Sequence, residues 1–199
     1  MSSAEESTLP QVRSLAPSPV ALRALFFFSL AASVAVVAAL EKLNGALRNS
    51  VASQGVMSLE LARTLDRQRQ LLASWGPSAR LRLAFSIGLD FFCVVAFLSA
   101  LALACIWLAA ALRRRRTVGS QLGVVVAWTL GIMGAFWMLQ NVLLASALFG
   151  HRTELTAEIT YWCALLKFTV MAAAVAYLAL GAVALLIRSQ LRASPAGAK

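Results

Sequence analysis

The sequence predicts an all-α integral membrane protein, a four-helix bundle with a short extracytoplasmic amphipathic helix in its first loop. Three observations lead to this fold class. The 199 residues are 60% hydrophobic and 13% charged, whereas a soluble domain is about half apolar and a quarter charged. Four apolar runs are each long enough to cross a bilayer, which takes about 20 residues. Most arginines lie near the ends of these runs, where positive charge anchors a membrane protein.

The apolar runs divide the chain into a membrane domain and two tails. Residues 1–19 are polar and contain three prolines, so they are expected to form a disordered cytoplasmic tail. The membrane domain is predicted over 20–188, and residues 189–199 are predicted to be a second cytoplasmic tail. The predicted spans are 20–40, 83–112, 118–149 and 159–187. The last three exceed the minimum length, which favours tilting or protrusion beyond the bilayer.

The first loop, 41–82, contains a segment with helical periodicity at 58–75. Leu61, Leu65 and Leu72 recur on one face and polar residues fill the others. Ser58 is a candidate N-cap, and Gly76 with the following proline stops the helix. Two interpretations remain open for this helix: a solvated loop helix, or a lid lying on the membrane over the bundle. Trp75 suits an anchor at the level of the lipid headgroups.

Orientation follows from the positively charged residues. The four arginines at 113–116 sit in a tight turn between two spans, and a cytoplasmic position for them places both termini in the cytoplasm. The totals are close, with nine Lys and Arg on that side and eight on the other. The dense turn decides the prediction, because charges in longer loops count less.

Several polar residues within the spans fall at one predicted depth. With a rise of about 1.5 Å per residue, Asp90 lies roughly 35 Å from Arg113, and Lys167 lies roughly 32 Å from Arg188. Gln140 and Asn141 lie roughly 36–38 Å from the same arginine turn, and Glu41 about 27 Å from Arg23. These residues therefore form a predicted polar layer beneath the first loop, near the outer edge of the hydrocarbon core.

Three interpretations of this polar layer compete. An Asp90–Lys167 ion pair braced by the two amides would fix helix register, because an unpaired buried charge is costly. Alternatively, the layer surrounds a small cavity under the loop that binds a polar headgroup, a quinone or another ligand. The third interpretation is that both charged side chains extend to the nearby interface.

The sequence contains none of the familiar catalytic motifs, such as a nucleophile elbow, a phosphate-binding loop or a zinc-protease helix. There is one histidine, His151, and the three cysteines lie in apolar segments without paired spacing. No catalytic residue, metal or cofactor is therefore predicted. The net charge of +10 is explained by membrane anchoring, so nucleic-acid binding is not expected. The tryptophans of the spans, including Trp137, are interpreted as belt or packing residues.

Three patches, "SLELARTLDRQRQLLASWG", "SIGLDFF" and "WCALLKFTVMAAAVAYLAL", together resemble a group of uncharacterised bacterial four-helix membrane proteins. In that group an "ELA…W" loop follows the first span, "LDF" opens the second and "KF" lies in the last. The resemblance covers about half of the chain and marks Glu60, Trp75, Asp90 and Lys167. It brings no activity with it.

The functional prediction is a non-enzymatic multi-pass protein of a bacterial inner membrane. It is predicted to bind a lipid-like or quinone-like ligand, or a partner, at the polar layer, and a homo-oligomer is compatible with the sequence. The alternatives are a small transporter or channel component that uses an Asp90–Lys167 charge pair, and a membrane enzyme whose activity would be lost in Asp90→Asn. No polar residue marks the cytoplasmic half of the last three spans strongly, so a continuous polar path is not visible.

Overall fold

A computed structural model of the chain describes residues 19–112 and 118–193. Six helices account for most of this part. They are α1 (Pro19–Gly45), α2 (Val56–Glu60), α3 (Leu65–Ala73), α4 (Pro77–Leu112), α5 (Val118–Leu148) and α6 (Glu154–Ala193). Of the predicted tails 1–19 and 189–199, residues 1–18 and 194–199 lie outside the described residues, as do the four arginines at 113–116.

The all-α four-helix fold class is confirmed. Four helices are long and apolar enough to cross a membrane, over Pro19–Gly45, Pro77–Leu112, Val118–Leu148 and Glu154–Ile187. The second and fourth begin five or six residues before the apolar runs that predicted them, because helical structure continues into polar sequence beyond the apolar run. Residues 189–193, predicted as tail, also belong to α6.

The start of α6 is set by two threonines. The Thr153 hydroxyl accepts a hydrogen bond from the Thr156 backbone N–H at 3.1 Å, and the Thr156 hydroxyl accepts one from the Thr153 N–H at 3.0 Å. This reciprocal arrangement satisfies backbone donors at the helix start that have no partner within the helix. Helix α6 therefore starts at Glu154 rather than at the first strongly apolar residue, Ile159.

The helix predicted at 58–75 is two short helices, α2 and α3, separated by a turn at 61–64. Thr64, in an extended conformation, caps α3 by accepting a hydrogen bond from the Arg67 N–H at 3.3 Å. The predicted cap Ser58 lies inside α2 instead, where its hydroxyl accepts from the Gln54 N–H at 3.1 Å. Helical periodicity did not reveal the break, because leucines on either side of it keep the same spacing.

In the bundle, α4 is central. It packs against α1 on one side and α5 on another, and α6 packs against α5 and α4. At the end of the bundle away from the first loop, Gly123 of α5 lies close to both α4 and α6. A Cβ atom there would lie 2.7 Å from the Cβ of Ala109 and 2.2 Å from the Tyr177 hydroxyl. The same hydroxyl donates a hydrogen bond to the Gly119 carbonyl at 3.0 Å, so α5 and α6 are joined at this point.

We predict that Gly123→Ala destabilises the bundle by about 1–3 kcal/mol, because overpacking forces a close helix contact apart. Gly131→Ala on the same helix is the matched control, since a Cβ there meets nothing within 4 Å. Thermal unfolding of both variants in one detergent tests this. Equal melting temperatures for the two variants would contradict the packing described at Gly123.

Candidate functional site

The first loop folds down onto the end of the bundle. Leucines of the loop are buried against Leu83 and Ile87 of α4 and Leu144 of α5. The loop members of this apolar cluster are Leu47, Ala52, Leu59, Ala62, Leu71, Leu72 and Trp75. The loop and the ends of α4 and α5 therefore bury their apolar side chains in one shared core, which holds the loop against the spans.

Trp75 is part of that core and not a headgroup anchor, which corrects the prediction from sequence. Its ring is only 3% exposed, and its indole N–H donates a hydrogen bond to the Leu47 carbonyl at 2.8 Å. Arg80 donates to the Trp75 and Leu72 carbonyls at 3.1 and 2.8 Å. Trp75 therefore stabilises the folded loop, because its buried N–H is bonded to a carbonyl of the same loop.

The position of α2 is fixed by the end of α1. The Asn44 side-chain oxygen accepts a hydrogen bond from the Val56 backbone N–H, the first residue of α2, at 2.8 Å. Gly55 precedes it with φ of +61°, and a Cβ there would lie 2.1 Å from that same oxygen. Only glycine combines this backbone conformation with this closeness at no steric cost. Asn44 and Gly55 together set the direction in which α2 leaves the turn.

Helix α2 carries Glu60 into contact with α6. The Glu60 carboxylate and the Lys167 ammonium form an ion pair at 2.7 Å, and the two side chains are 10% and 5% exposed. A pair this deeply buried is costly to break, by about 3–5 kcal/mol when one partner is removed, because the remaining charge is left in a poorly solvating site. This contact links residues 107 positions apart in the sequence.

The same ammonium lies against two aromatic rings. The Lys167 Nζ atom is 4.9 Å from the ring centroid of Trp137 and 4.9 Å from that of Phe168. Both distances are within the range of a cation–π interaction. The environment of Lys167 therefore combines one carboxylate and two aromatic faces, all of which favour a positive charge.

Asp90 has a different set of partners. One of its oxygens, Oδ2, accepts hydrogen bonds from the Trp137 indole N–H at 2.7 Å and from the Asn141 amide at 2.9 Å. No ion pair joins Asp90 to Lys167 among the described residues, whose buried pair is Lys167–Glu60. The predicted Asp90–Lys167 ion pair is therefore wrong. Lys167 pairs with Glu60 instead, because the first loop places this second carboxylate beside α6. Trp137 lies between the two groups, contacting Lys167 with its ring and Asp90 with its N–H.

These residues line a cavity of about 220 Å³ under the loop, which we call the loop cavity. Its walls come from α1, α2, α4, α5 and α6. The polar side chains in the wall, apart from the Trp137 indole, are those of Glu41, Asn44, Glu60, Ser86, Asp90, Asn141 and Lys167. Four members of the predicted polar layer therefore face one space together with Glu60, and Val56 and Met57 of α2 cover it.

Glu41 and Gln140, which also belong to the predicted polar layer, have different environments from the other members. Glu41 is in the cavity wall but is largely exposed, and it forms an ion pair with Arg48. Gln140 is completely buried and is absent from the cavity wall. Neither polar atom of its amide has a hydrogen-bond partner among the described residues. Depth along the helix predicted the level of Gln140 correctly, but not the side of the helix that it occupies.

An apolar groove of about 540 Å³ runs from the loop cavity along α1 and α4. Its wall includes Phe26, Leu30 and Val34 of α1 and Phe97 and Ala104 of α4. The groove is within the range of about 300–1,000 Å³ that is usual for ligand pockets. Val37 and Glu41 belong to the walls of both the groove and the loop cavity, so the two spaces adjoin along one face of α1.

Sequence reasoning missed Trp137 and Asn44 as site residues. Trp137 was assigned to packing, although it precedes Asn141 by one helical turn and therefore shares a face with it. That spacing was the available signal, because an indole N–H needs a hydrogen-bond partner when it is buried. Asn44 lies one helical turn beyond Glu41, which was the corresponding signal, but its hydrogen bond from the Val56 N–H depends on the turn before α2.

No protein-family model, no curated protein and no solved structure matches the chain.

We predict that Glu60 and Lys167 are energetically coupled. Glu60→Gln and Lys167→Met should each lower the free energy of unfolding by about 3–5 kcal/mol, and the double variant should lose much less than the two losses added. Unfolding in lipid bicelles measures the cycle.

A second cycle, which combines Asp90→Asn with Lys167→Met, provides the comparison. Asp90 and Lys167 share a contact with Trp137 but no ion pair, so their coupling energy should be the smaller of the two. A larger coupling for Asp90–Lys167 would show that Lys167 pairs with the other carboxylate.

Proposed function

We propose that this chain is a membrane-embedded binding protein that holds one lipid-like amphiphile. The headgroup occupies the loop cavity, and the apolar chain of the ligand lies in the groove between α1 and α4. The protein acts by binding rather than by catalysis.

The observation that carries this proposal is the shared wall of the two spaces. Val37 and Glu41 line both the loop cavity, whose wall is rich in polar side chains, and a groove whose described wall is almost entirely apolar. An amphiphile has the same division into a polar end and an apolar end. The cavity of about 220 Å³ would hold the polar end, and the groove of about 540 Å³ would hold the apolar end.

The packing of α1 supports the same function. This helix packs mainly against α4, and only Ser29, Ser33 and Val36 are buried along its length. A groove beside a span with few partners gives an apolar chain a route in from the bilayer. The opposite side of the cavity is covered by α2, which the Glu60–Lys167 ion pair holds in place.

We propose further that the loop faces the extracytoplasmic side of a bacterial inner membrane and that both termini are cytoplasmic. The support is the run of four arginines that the sequence places between α4 and α5, because dense positive charge is retained in the cytoplasm. The end of α4 and the start of α5, which flank this run, lie away from the loop. In this orientation the loop cavity lies at the level of the outer-leaflet headgroups.

Native mass spectrometry of the delipidated protein tests the function. We expect a one-to-one adduct with added phosphatidylethanolamine or phosphatidylglycerol to persist after the bulk lipid is stripped. Ala104→Phe should weaken this adduct by at least about tenfold, equivalent to about 1.4 kcal/mol, because the added ring fills the groove.

Ala110→Phe is the matched control, since Ala110 lies on the same helix, is exposed and lines neither space. It should bind like the unaltered chain. Equal retention of lipid by all three proteins, or no one-to-one adduct with the unaltered chain, would contradict the proposed function.

A further inference from the structure

The described wall of the loop cavity contains more negatively charged side chains than positively charged ones. Three carboxylates, Glu41, Glu60 and Asp90, and one ammonium, Lys167, are in its described wall. Glu60 is neutralised by Lys167, and Glu41 is paired with Arg48. Asp90 has no ion pair among the described residues, although it lies within a span and is only partly exposed.

The hydrogen bonds to Asp90 orient its carboxylate but leave its charge in place. Both donors, the Trp137 indole and the Asn141 amide, are neutral, and both bind the same oxygen, Oδ2. The other oxygen, Oδ1, accepts no hydrogen bond from the described residues. An ionised carboxylate at this depth is costly without an opposite charge. One oxygen is held by the protein, and the other is available to a ligand.

The aromatic wall of the cavity already accommodates an ammonium ion. Lys167 lies over the rings of Trp137 and Phe168 and donates to Glu60. Its side chain is only 5% exposed, so it is not available to pair with an anionic headgroup. The cavity therefore offers an incoming headgroup a free carboxylate and aromatic surface, but no free cation from its described wall.

We infer that the ligand of the loop cavity is an amphiphile whose headgroup carries a positively charged amine, and that Asp90 is its counter-ion. This inference rests on the proposed function and adds the chemical class of the headgroup. The amine donates to Asp90 Oδ1 while Trp137 and Asn141 hold Oδ2. The apolar chain continues past Val37 into the groove.

Three probes with the same chain and different headgroups test the inference: tetradecylamine, tetradecanol and tetradecanoate. At pH ~7 the amine is protonated, since alkylamines resemble lysine with a pKa of about 10.4. We expect the unaltered protein to bind the amine at least about tenfold tighter than the alcohol, and the carboxylate most weakly. Native mass spectrometry with each probe below its micelle concentration gives the three affinities.

Asp90→Asn should lower the affinity for the amine to that for the alcohol and leave the alcohol unchanged. Glu158→Gln removes a carboxylate that pairs with Arg63 outside the cavity, and it should keep the preference for the amine. The ranking of the three probes by the unaltered chain needs no variant, so the test stands even if Asp90→Asn does not fold.

Each other outcome has a distinct meaning. Equal one-to-one binding of the amine and the alcohol would overturn the inference and leave the proposed function standing. Preference for tetradecanoate would overturn it too, since the cavity would then recognise an anion. If none of the three probes binds and no phospholipid adduct forms, the proposed function itself fails.

Discussion

The ion pair between Glu60 and Lys167 is the contact on which the loop end of this protein depends. It joins a short helix of the first loop to the first half of the last long helix, and both side chains are almost completely buried. Helix α2 is only five residues long, and a helix of that length has little stability of its own. Its position over the loop cavity is therefore determined by its contacts with the rest of the protein: Asn44 and Gly55 at the start, the buried Leu59 in the apolar cluster, and Glu60 at the finish.

The rest of the loop has a separate source of stability. Trp75, Leu71 and Leu72 are buried against α4 and α5, and the Trp75 N–H is bonded to the Leu47 carbonyl. Asn49 adds a bond from its amide to the Ser74 hydroxyl at 3.1 Å. This part does not involve Lys167. The loop thus consists of an apolar platform fixed to the bundle and a short helix above the cavity, which Leu59 and the Glu60–Lys167 ion pair both hold in place.

The level of the polar residues could be predicted from the sequence, but their pairing could not. Hydropathy locates the four spans, and the fixed rise of a helix places Asp90, Asn141 and Lys167 at one depth. The sequence marked Glu60 only through a resemblance, because no periodicity relates a loop residue to a distant helix. Lys167 was therefore assigned to Asp90, the nearest opposite charge by depth alone.

Other differences have equally local causes. The helix predicted at 58–75 is broken because Thr64 caps a new helix, and the leucine spacing continues across the break. Gln140 and Asn141 are adjacent and share a depth, yet consecutive residues on a helix point about 100° apart. Asn141 consequently reaches Asp90 in the cavity, while Gln140 is buried elsewhere with its amide unpaired among the described residues.

Hydrogen exchange of the loop tests most directly whether the buried ion pair holds α2 over the cavity. We predict that Lys167→Met accelerates exchange of the backbone amides at 56–60 and leaves those at 71–75 as protected as before. Lys42→Met, which removes an exposed cation from the end of α1, should change neither segment. Unchanged protection at 56–60 in Lys167→Met, or equal loss in both segments, would show that the ion pair does not hold α2 in place.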